Sequence, residues 1–499
     1  VSTLTVPAPA FGIRPRRRRW TGLEPLVLGG AVLAGGLAAY RPLLAVAACG
    51  ALLLAGLVWR RPAVAGYLLV GITPLVAGID RGVAIPFFRP NEALELLLGA
   101  TLALRWLCGL RRGAVRFRGP GRLEVAIVAM AVANSVVLLL AMSVRGQEIT
   151  ADDLLYSLVL WKLLALYLIV RAAVRTVPEV RICLLVSVAA ACVVAVIGIL
   201  QGLGVLGVRT FLTHYYSQFG AVTQLTSVRG SSTLGLPAAT ADLMILNLAL
   251  LTALWLRERR RTALFCAGVA VLVLGCLAAG EFSSMLGLVV GMGALALVTG
   301  SAAVLGFLGV LLVAGAVVVW PVISVRLAGF GHASGLPPSW LGRLHNLTTY
   351  FWPELTSHWN VLLGVRPAAR VPVPTQLTGY VWIESGYLWL LWGGGLPLLG
   401  AFLFFVRVGA SRGWRLARTR SDAMGAAGVA VFVGLVVMAV LMVFDPHLTY
   451  RGSADALFAL LALTACADRG RPSAIPGRSP AAVVAPAAGG RLRAEETRS

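Results

Sequence analysis

The order of the charges constrains this chain most. Between Leu23 and Cys466 it resolves into about fourteen apolar stretches, with arginine clusters falling in alternate gaps between them. A chain that repeatedly offers 17 to 24 apolar residues has to bury them in a bilayer, where only helices or closed barrels satisfy the backbone. The basic gaps are Arg14 to Arg19, Arg60 and Arg61, Arg105 to Arg122, Arg171 to Arg181, Arg257 to Arg261, Arg407 to Arg420, and the stretch from Arg469 onward. These hold most of the lysine and arginine, and the positive-inside bias assigns them to the cytoplasm. The net charge of +23 is thereby explained by topology, and no nucleic-acid partner is implied.

Composition agrees: 59% hydrophobic and 13% charged residues lie outside the range of soluble domains. The expectation is an all-α, polytopic integral membrane protein of about 14 (12 to 14) transmembrane helices, multi-pass in the bacterial cytoplasmic (inner) membrane with both termini cytoplasmic. The expected spans are 23–39, 42–59, 62–79, 91–108, 123–144, 154–172, 182–206, 233–256, 262–279, 284–300, 302–320, 384–406, 424–444 and 452–466. Residues 1–22 read as a basic cytoplasmic segment, 23–466 as one transmembrane domain, and 467–499 as a disordered basic cytoplasmic tail. The first apolar stretch ends at Tyr40-Arg41-Pro42 with no small-residue cleavage pattern, so it reads as a retained helix. The external gaps are then 80–90, 145–153, 207–232, 280–283, 321–383 and 445–451. The pairing of the 284–300 and 302–320 spans is the least constrained, because no charge marks residues 300–301. One large external loop, 321–383, lies between the eleventh and twelfth spans. It is rich in Trp, Tyr and His as well as proline, which reads as an ordered functional loop.

All five histidines, His214, His332, His345, His358 and His447, fall in these external gaps. No HxH, HExxH or paired carboxylate accompanies them, and the seven cysteines show no CxxC spacing, so neither a metal, a disulfide nor any other cofactor is expected. Several ionisable groups sit within or beside spans: Glu92, Glu95, Lys162, Asp242 and Asp455. Each is costly in lipid and should face the protein interior. Lys162, Asp242 and Glu92 are expected to line a polar cavity, with Lys162 pairing with a carboxylate such as Asp242. The small-residue pattern Gly287xxxGly291 reads as a helix-packing signal.

Two segments resemble a family pattern. Val228-Arg229-Gly230-Ser231-Ser232-Thr233-Leu234-Gly235-Leu236-Pro237 is similar to the arginine-led approach to a helix in the O-antigen ligase and polymerase superfamily of bacterial membrane glycosyltransferases. The stretch from Gly342-Arg343 through Trp352-Pro353 and Asn360-Val361-Leu362-Leu363-Gly364 to Glu384-Ser385-Gly386 and Gly393-Gly394-Gly395 resembles that family's large external loop and the helix that follows it. The resemblance covers about residues 180 to 410. It implies a polyprenyl-diphosphate-linked glycan as donor, a glycan, lipid or protein acceptor, contact with membrane lipid, and metal-independent inverting glycosyl transfer on the external face.

On that resemblance Arg229 and Arg343, and less strongly Arg366 and Arg370, would hold the leaving diphosphate, since guanidinium forks match phosphate oxygens. A base must take the acceptor's proton. Ligases of the family commonly carry histidine where this sequence has Glu384, so Glu384 is the candidate base and His345 the second. The carboxylate fits a surface-polysaccharide polymerase at least as well as a ligase, and the polymerase is favoured. A further departure is Gly280-Glu281-Phe282-Ser283, where the family often has Ser-Arg. From another class, a secondary transporter or lipid-linked glycan flippase would also use many spans and intramembrane charges.

Overall fold

The computed structural model describes residues 42–466, apart from 86, 112–118, 217–228, 259–260, 319, 321–323, 325–337 and 374–378. The expected first span 23–39, the segment 1–22, the tail 467–499, His332 and part of the long loop lie outside the described residues. The chain divides into two units, Val1–Arg61 and Pro62–Ser499. In the first, the described element is helix α1, Pro42–Arg60.

The second unit is a helical bundle. In chain order its helices are α2 Ala63–Val76, α3 Pro90–Arg111, α4 Arg122–Val144, α5 Ala151–Ala173, α6 Val177–Leu203, α7 Val208–Tyr215, α8 Pro237–Glu258, α9 Thr262–Ala278, α10 Phe282–Thr299 and α11 Ala302–Val318. The long loop contributes α12, Pro338–Asn346, and a two-stranded antiparallel ribbon of β1 Arg370–Pro372 and β2 Tyr380–Trp382. Then come α13 Gly386–Trp392, α14 Gly395–Thr419, α15 Ala423–Leu441 and α16 Ser453–Thr464. Among the described residues, eight helices are long and apolar enough to cross a membrane, and further apolar helices of 10–17 residues accompany them. The chain is thus a multi-pass membrane protein.

Local chemistry sets the helix starts. Thr150 accepts from the Asp153 amide while Asp153 takes the Thr150 amide, and Thr176 and Glu179 repeat this capping box ahead of α6. Asp422 caps α15 through the amides of Met424 and Gly425. Gly300, at φ 69°, closes α10 in the left-handed conformation and provides the turn into α11. Helices α8 and α15 form the centre, each 78% buried over its most apolar window. Gly287 and Gly291 let α10 approach them: a β-carbon at Gly287 would sit 2.8 Å from Leu441, and one at Gly291 2.8 Å from Ile245. The outward faces keep bare aliphatic side chains such as Val144, Val310 and Val317, as a lipid-facing surface requires.

One expected span is divided. The stretch 384–406 breaks at Gly393-Gly394 into the short α13 and the longer α14. The break is stapled from two sides. Asn134, in a π-helical turn of α4, donates to the Gly393 carbonyl at 2.7 Å. The Val365 amide donates to the Trp392 carbonyl at 2.7 Å. Gly395 has φ 65°, and a β-carbon there would lie 2.4 Å from the Leu362 carbonyl oxygen. The Asn360-Val361-Leu362-Leu363-Gly364 segment is therefore packed against this turn, and Arg145 fixes it by donating to Asn360 and to the Gly364 carbonyl, both at 2.8 Å.

Candidate functional site

A cavity of about 1730 Å³ opens inside the second unit. Each of the six gaps 80–90, 145–153, 207–232, 280–283, 321–383 and 445–451 contributes residues to it, so these gaps share one end of the bundle. It extends between α3, α5 and α11 as far as Ala103, Ile169 and Leu312. Six cationic and six carboxylate side chains line it, so its recognition chemistry is a set of ion pairs and not a field of one sign.

The Arg229 segment is built firmly. Gln201 reads the turn on both sides, donating to Ser231 Oγ at 2.9 Å and accepting the Ser232 amide at 2.7 Å. Ser232 Oγ donates to the Val194 carbonyl and Thr233 Oγ1 to the Pro74 carbonyl. Gly230 is needed because a β-carbon would lie 2.6 Å from the Gly198 carbonyl oxygen. These buried hydroxyls lock the approach to α8 and leave Arg229 facing the cavity, where Nη1 donates to Glu281 Oε1 at 2.9 Å. Glu281, at the start of α10, is thus the partner of Arg229.

Arg343, on α12, stands beside two carboxylates: Glu384 at 3.4 Å and Asp445 at 3.3 Å. Glu384 follows β2, and its position is set by the next turn, where the Gly386 and Tyr387 amides both donate to the Met442 carbonyl. Burial pushes the Glu384 carboxyl above its ordinary value; Arg343 opposes this and Glu281 adds to it. Burial likewise pushes Asp445 up to about 6, against the pull of Arg343 and His447. Trp340, one turn before Arg343, packs edge-on against Phe282 with ring centroids 5.7 Å apart, which ties the Arg343 and Glu281 sides of the cavity together.

A second cluster lies on another wall. Glu92 accepts from Arg81 at 2.8 Å and Arg89 at 3.1 Å. Asp80 is shared by Arg89 at 3.8 Å and Arg451 at 3.4 Å. Further along the helices Lys162, the only lysine of the chain, pairs with Asp455 at 2.9 Å. Glu95 sits near them, 5% exposed, with Oε1 unpartnered.

Lys162, Glu92, Arg229, Arg343 and Glu384 therefore meet in one cavity, and the other candidates lie elsewhere. Lys162 pairs with a carboxylate as expected, and that acid is Asp455 in place of Asp242. Asp242 lies behind the cavity wall and holds His447 Nδ1 at 2.6 Å. Burial disfavours the charged imidazole, yet the Asp242 carboxylate raises the His447 pKa above its ordinary value. Arg366 is not among the cavity-lining residues; it is tied to the fully buried Asp153 at 3.0 Å and to the Glu148 carbonyl. His345 is exposed, 3.4 Å from Thr349 Oγ1, and is likewise not among them.

Asp445, Arg451, Arg81, Arg89, Trp340 and Trp382 line the cavity without belonging to any motif. The available signal was positional, since each lies in or beside a gap assigned to the same side as Arg229 and Arg343. Among the described residues no group of three or more His, Cys, Asp or Glu is placed to hold a metal ion. Comparison with protein-family models, with curated proteins and with solved structures found no match to this chain.

Proposed function

We propose that the protein transfers or polymerises a polyprenyl-diphosphate-linked glycan at this cavity, on the external face of the bacterial cytoplasmic membrane, by inverting and metal-independent chemistry. The observation that carries this is the convergence of Arg229 and Arg343 with Glu384 in a cavity that reaches from the loop end into the bundle. A lipid diphosphate needs that combination: apolar walls at bilayer depth for the isoprenoid, and guanidinium groups near the interface for the leaving charge. Arg343 is held by two carboxyls with raised proton affinity, so an incoming diphosphate competes with them for its fork. Glu384, whose proton affinity is raised by burial, is suited to take the acceptor hydroxyl proton. The position of Glu384 supports polymerase over ligase, on the departure from histidine noted above.

A second reading, a proton- or ion-coupled transporter or flippase, is favoured by the Lys162–Asp455 pair and the unpartnered Glu95 at the membrane-depth part of the cavity. The deciding experiment uses the full chain, purified and supplied with a polyprenyl-diphosphate glycan in excess chelator. Wild type should elongate or transfer the glycan, and Glu384→Gln should abolish turnover while retaining donor binding. A Glu384→Gln protein that transfers at near wild-type rate removes Glu384 from the mechanism. Loss of wild-type activity on chelation, restored by one metal, overturns the arginine-based chemistry.

A further inference from the structure

Leading to Glu384 is an aromatic edge that the transfer chemistry leaves unused. Across Tyr380-Val381-Trp382-Ile383-Glu384 the side chains alternate: Val381 and Ile383 are each 4% exposed, while Tyr380, Trp382 and Glu384 lie on the open face. The period of two is that of a strand, and the ladder continues past β2 because the Ile383 amide donates to the Ala369 carbonyl at 3.2 Å. Arg370 stacks its guanidinium 4.0 Å above the Tyr380 ring and 5.5 Å from the Trp382 centroid. Tyr156, from α5, brings its ring to 6.2 Å from that of Trp382 at 56°. Asp152, one turn before Tyr156, is ion-paired with Arg370. Trp382, Tyr156 and Asp152 all face the cavity.

The geometry points to a saccharide subsite on Trp382 and Tyr156, edged by Asp152 and Arg370, that seats the acceptor sugar beside Glu384. Three observations select a sugar. The rings offer flat apolar faces for the C–H face of a pyranose, with charged groups at their edge to exchange hydrogen bonds with its hydroxyls. Asp152 and Arg370 neutralise one another, so this patch suits an uncharged ligand, whereas Arg229 and Arg343 suit the diphosphate. The rings of Trp382 and Tyr156 line an internal cavity, unlike an aromatic belt, which faces lipid headgroups. Glu384 follows Trp382 by one strand repeat, roughly 6.6 Å along the chain. A hydroxyl on a sugar stacked against Trp382 is thereby directed toward the candidate base. Trp382 and Tyr156 act as acceptor-positioning residues.

This inference rests on the transferase reading for its role, but the subsite can be tested without it. Full-length wild type, Trp382→Ala, Trp382→Phe and Tyr156→Leu proteins in detergent are applied to a printed array of defined neutral oligosaccharides, with thermal midpoints as a folding check. Wild type should bind a subset of glycans. Trp382→Ala and Tyr156→Leu should each lose at least tenfold in binding, and Trp382→Phe should retain part of it. In the transfer assay the same variants should raise the acceptor KM while donor binding stays unchanged. Absence of glycan binding by wild type overturns the subsite. So does undiminished binding by a folded Trp382→Ala or, should that variant fail to fold, by Tyr156→Leu. Trp382-dependent glycan binding without any transfer refutes the transferase reading and leaves the subsite standing. Transfer with an unchanged acceptor KM in the variants does the reverse.

Discussion

Replacing Asp445 by Asn should stabilise the protein at neutral pH, and by an amount that depends on pH in a calculable way. The Asp445 side chain is 15% exposed, and its carboxyl is raised from 3.8 to about 6, chiefly by burial. A carboxyl that holds its proton more tightly in the folded chain than in the unfolded one contributes stability that is fully present below about pH 4. That contribution is lost as the pH rises through about 6, because the unfolded state then gains more from ionisation. The full displacement corresponds to about 3 kcal/mol. Asn keeps an acceptor oxygen for Arg343 and has no proton to lose. With an unfolding entropy of about 2.1 cal/mol/K per residue, the 499-residue chain has roughly 1 kcal/mol/K in total. The variant should therefore melt about 3 °C higher at pH 7.5, and the advantage should shrink to about 1 °C at pH 4.5. The assay is thermal unfolding of both proteins in one detergent across that pH range. An equal difference at both ends, or a lower midpoint for Asp445→Asn at pH 7.5, refutes the account of a buried and disfavoured charge.

Arg343→Lys and Arg229→Lys should reduce turnover nearly as much as the alanine variants, by roughly 10²–10³-fold, because an ammonium cannot supply the planar fork; lysine variants within threefold of wild type would argue against diphosphate binding there. Lys162→Met should cost about 3–5 kcal/mol by stranding Asp455, which is 1% exposed. Adding Asp455→Asn should recover most of this, as asparagine still accepts the Gly452 amide, and a double-mutant cycle in thermal unfolding reads the coupling. Single cysteines placed at Ser357 and Thr262 in a cysteine-free background should be labelled from opposite sides of the membrane. Labelling from the same side would overturn the assigned topology.

Hydropathy made the spans legible because lipid imposes one requirement over twenty residues at a time. The boundaries at Arg122–Val144, Val177–Leu203 and Ala423–Leu441 fall within a few residues of the expected 123–144, 182–206 and 424–444, the largest offset being the first turn of α6. The break at Gly393-Gly394 was hidden because glycine, leucine and tryptophan read as one apolar run. Its cause, Asn134 and the Gly364 turn, lies far away in the chain. Arg229, Arg343 and Glu384 were visible through their motifs. Their partners were not, because pairing is decided in space: nothing in the sequence joins Glu281 to Arg229, 52 residues earlier. Lys162 could have met any of several acids near the spans, and only helix packing selects Asp455. His345 drew notice through its neighbours in sequence, but it lies on the exposed side of α12, while Arg343, two residues earlier, faces the cavity.

The link between α15 and α16 has a consequence for how the molecule can vary. Asp445 reaches Arg343, His447 reaches Asp242, and Arg451 reaches Asp80, so seven residues make three separate attachments and behave as a strut of fixed length. One inserted residue adds up to about 3.5 Å of chain, more than a hydrogen bond can absorb. A length change here would therefore release either the Arg343 wall or the Arg89 wall, and the two could no longer be held at one spacing. The length of this link is thus tied to the width of the cavity it crosses.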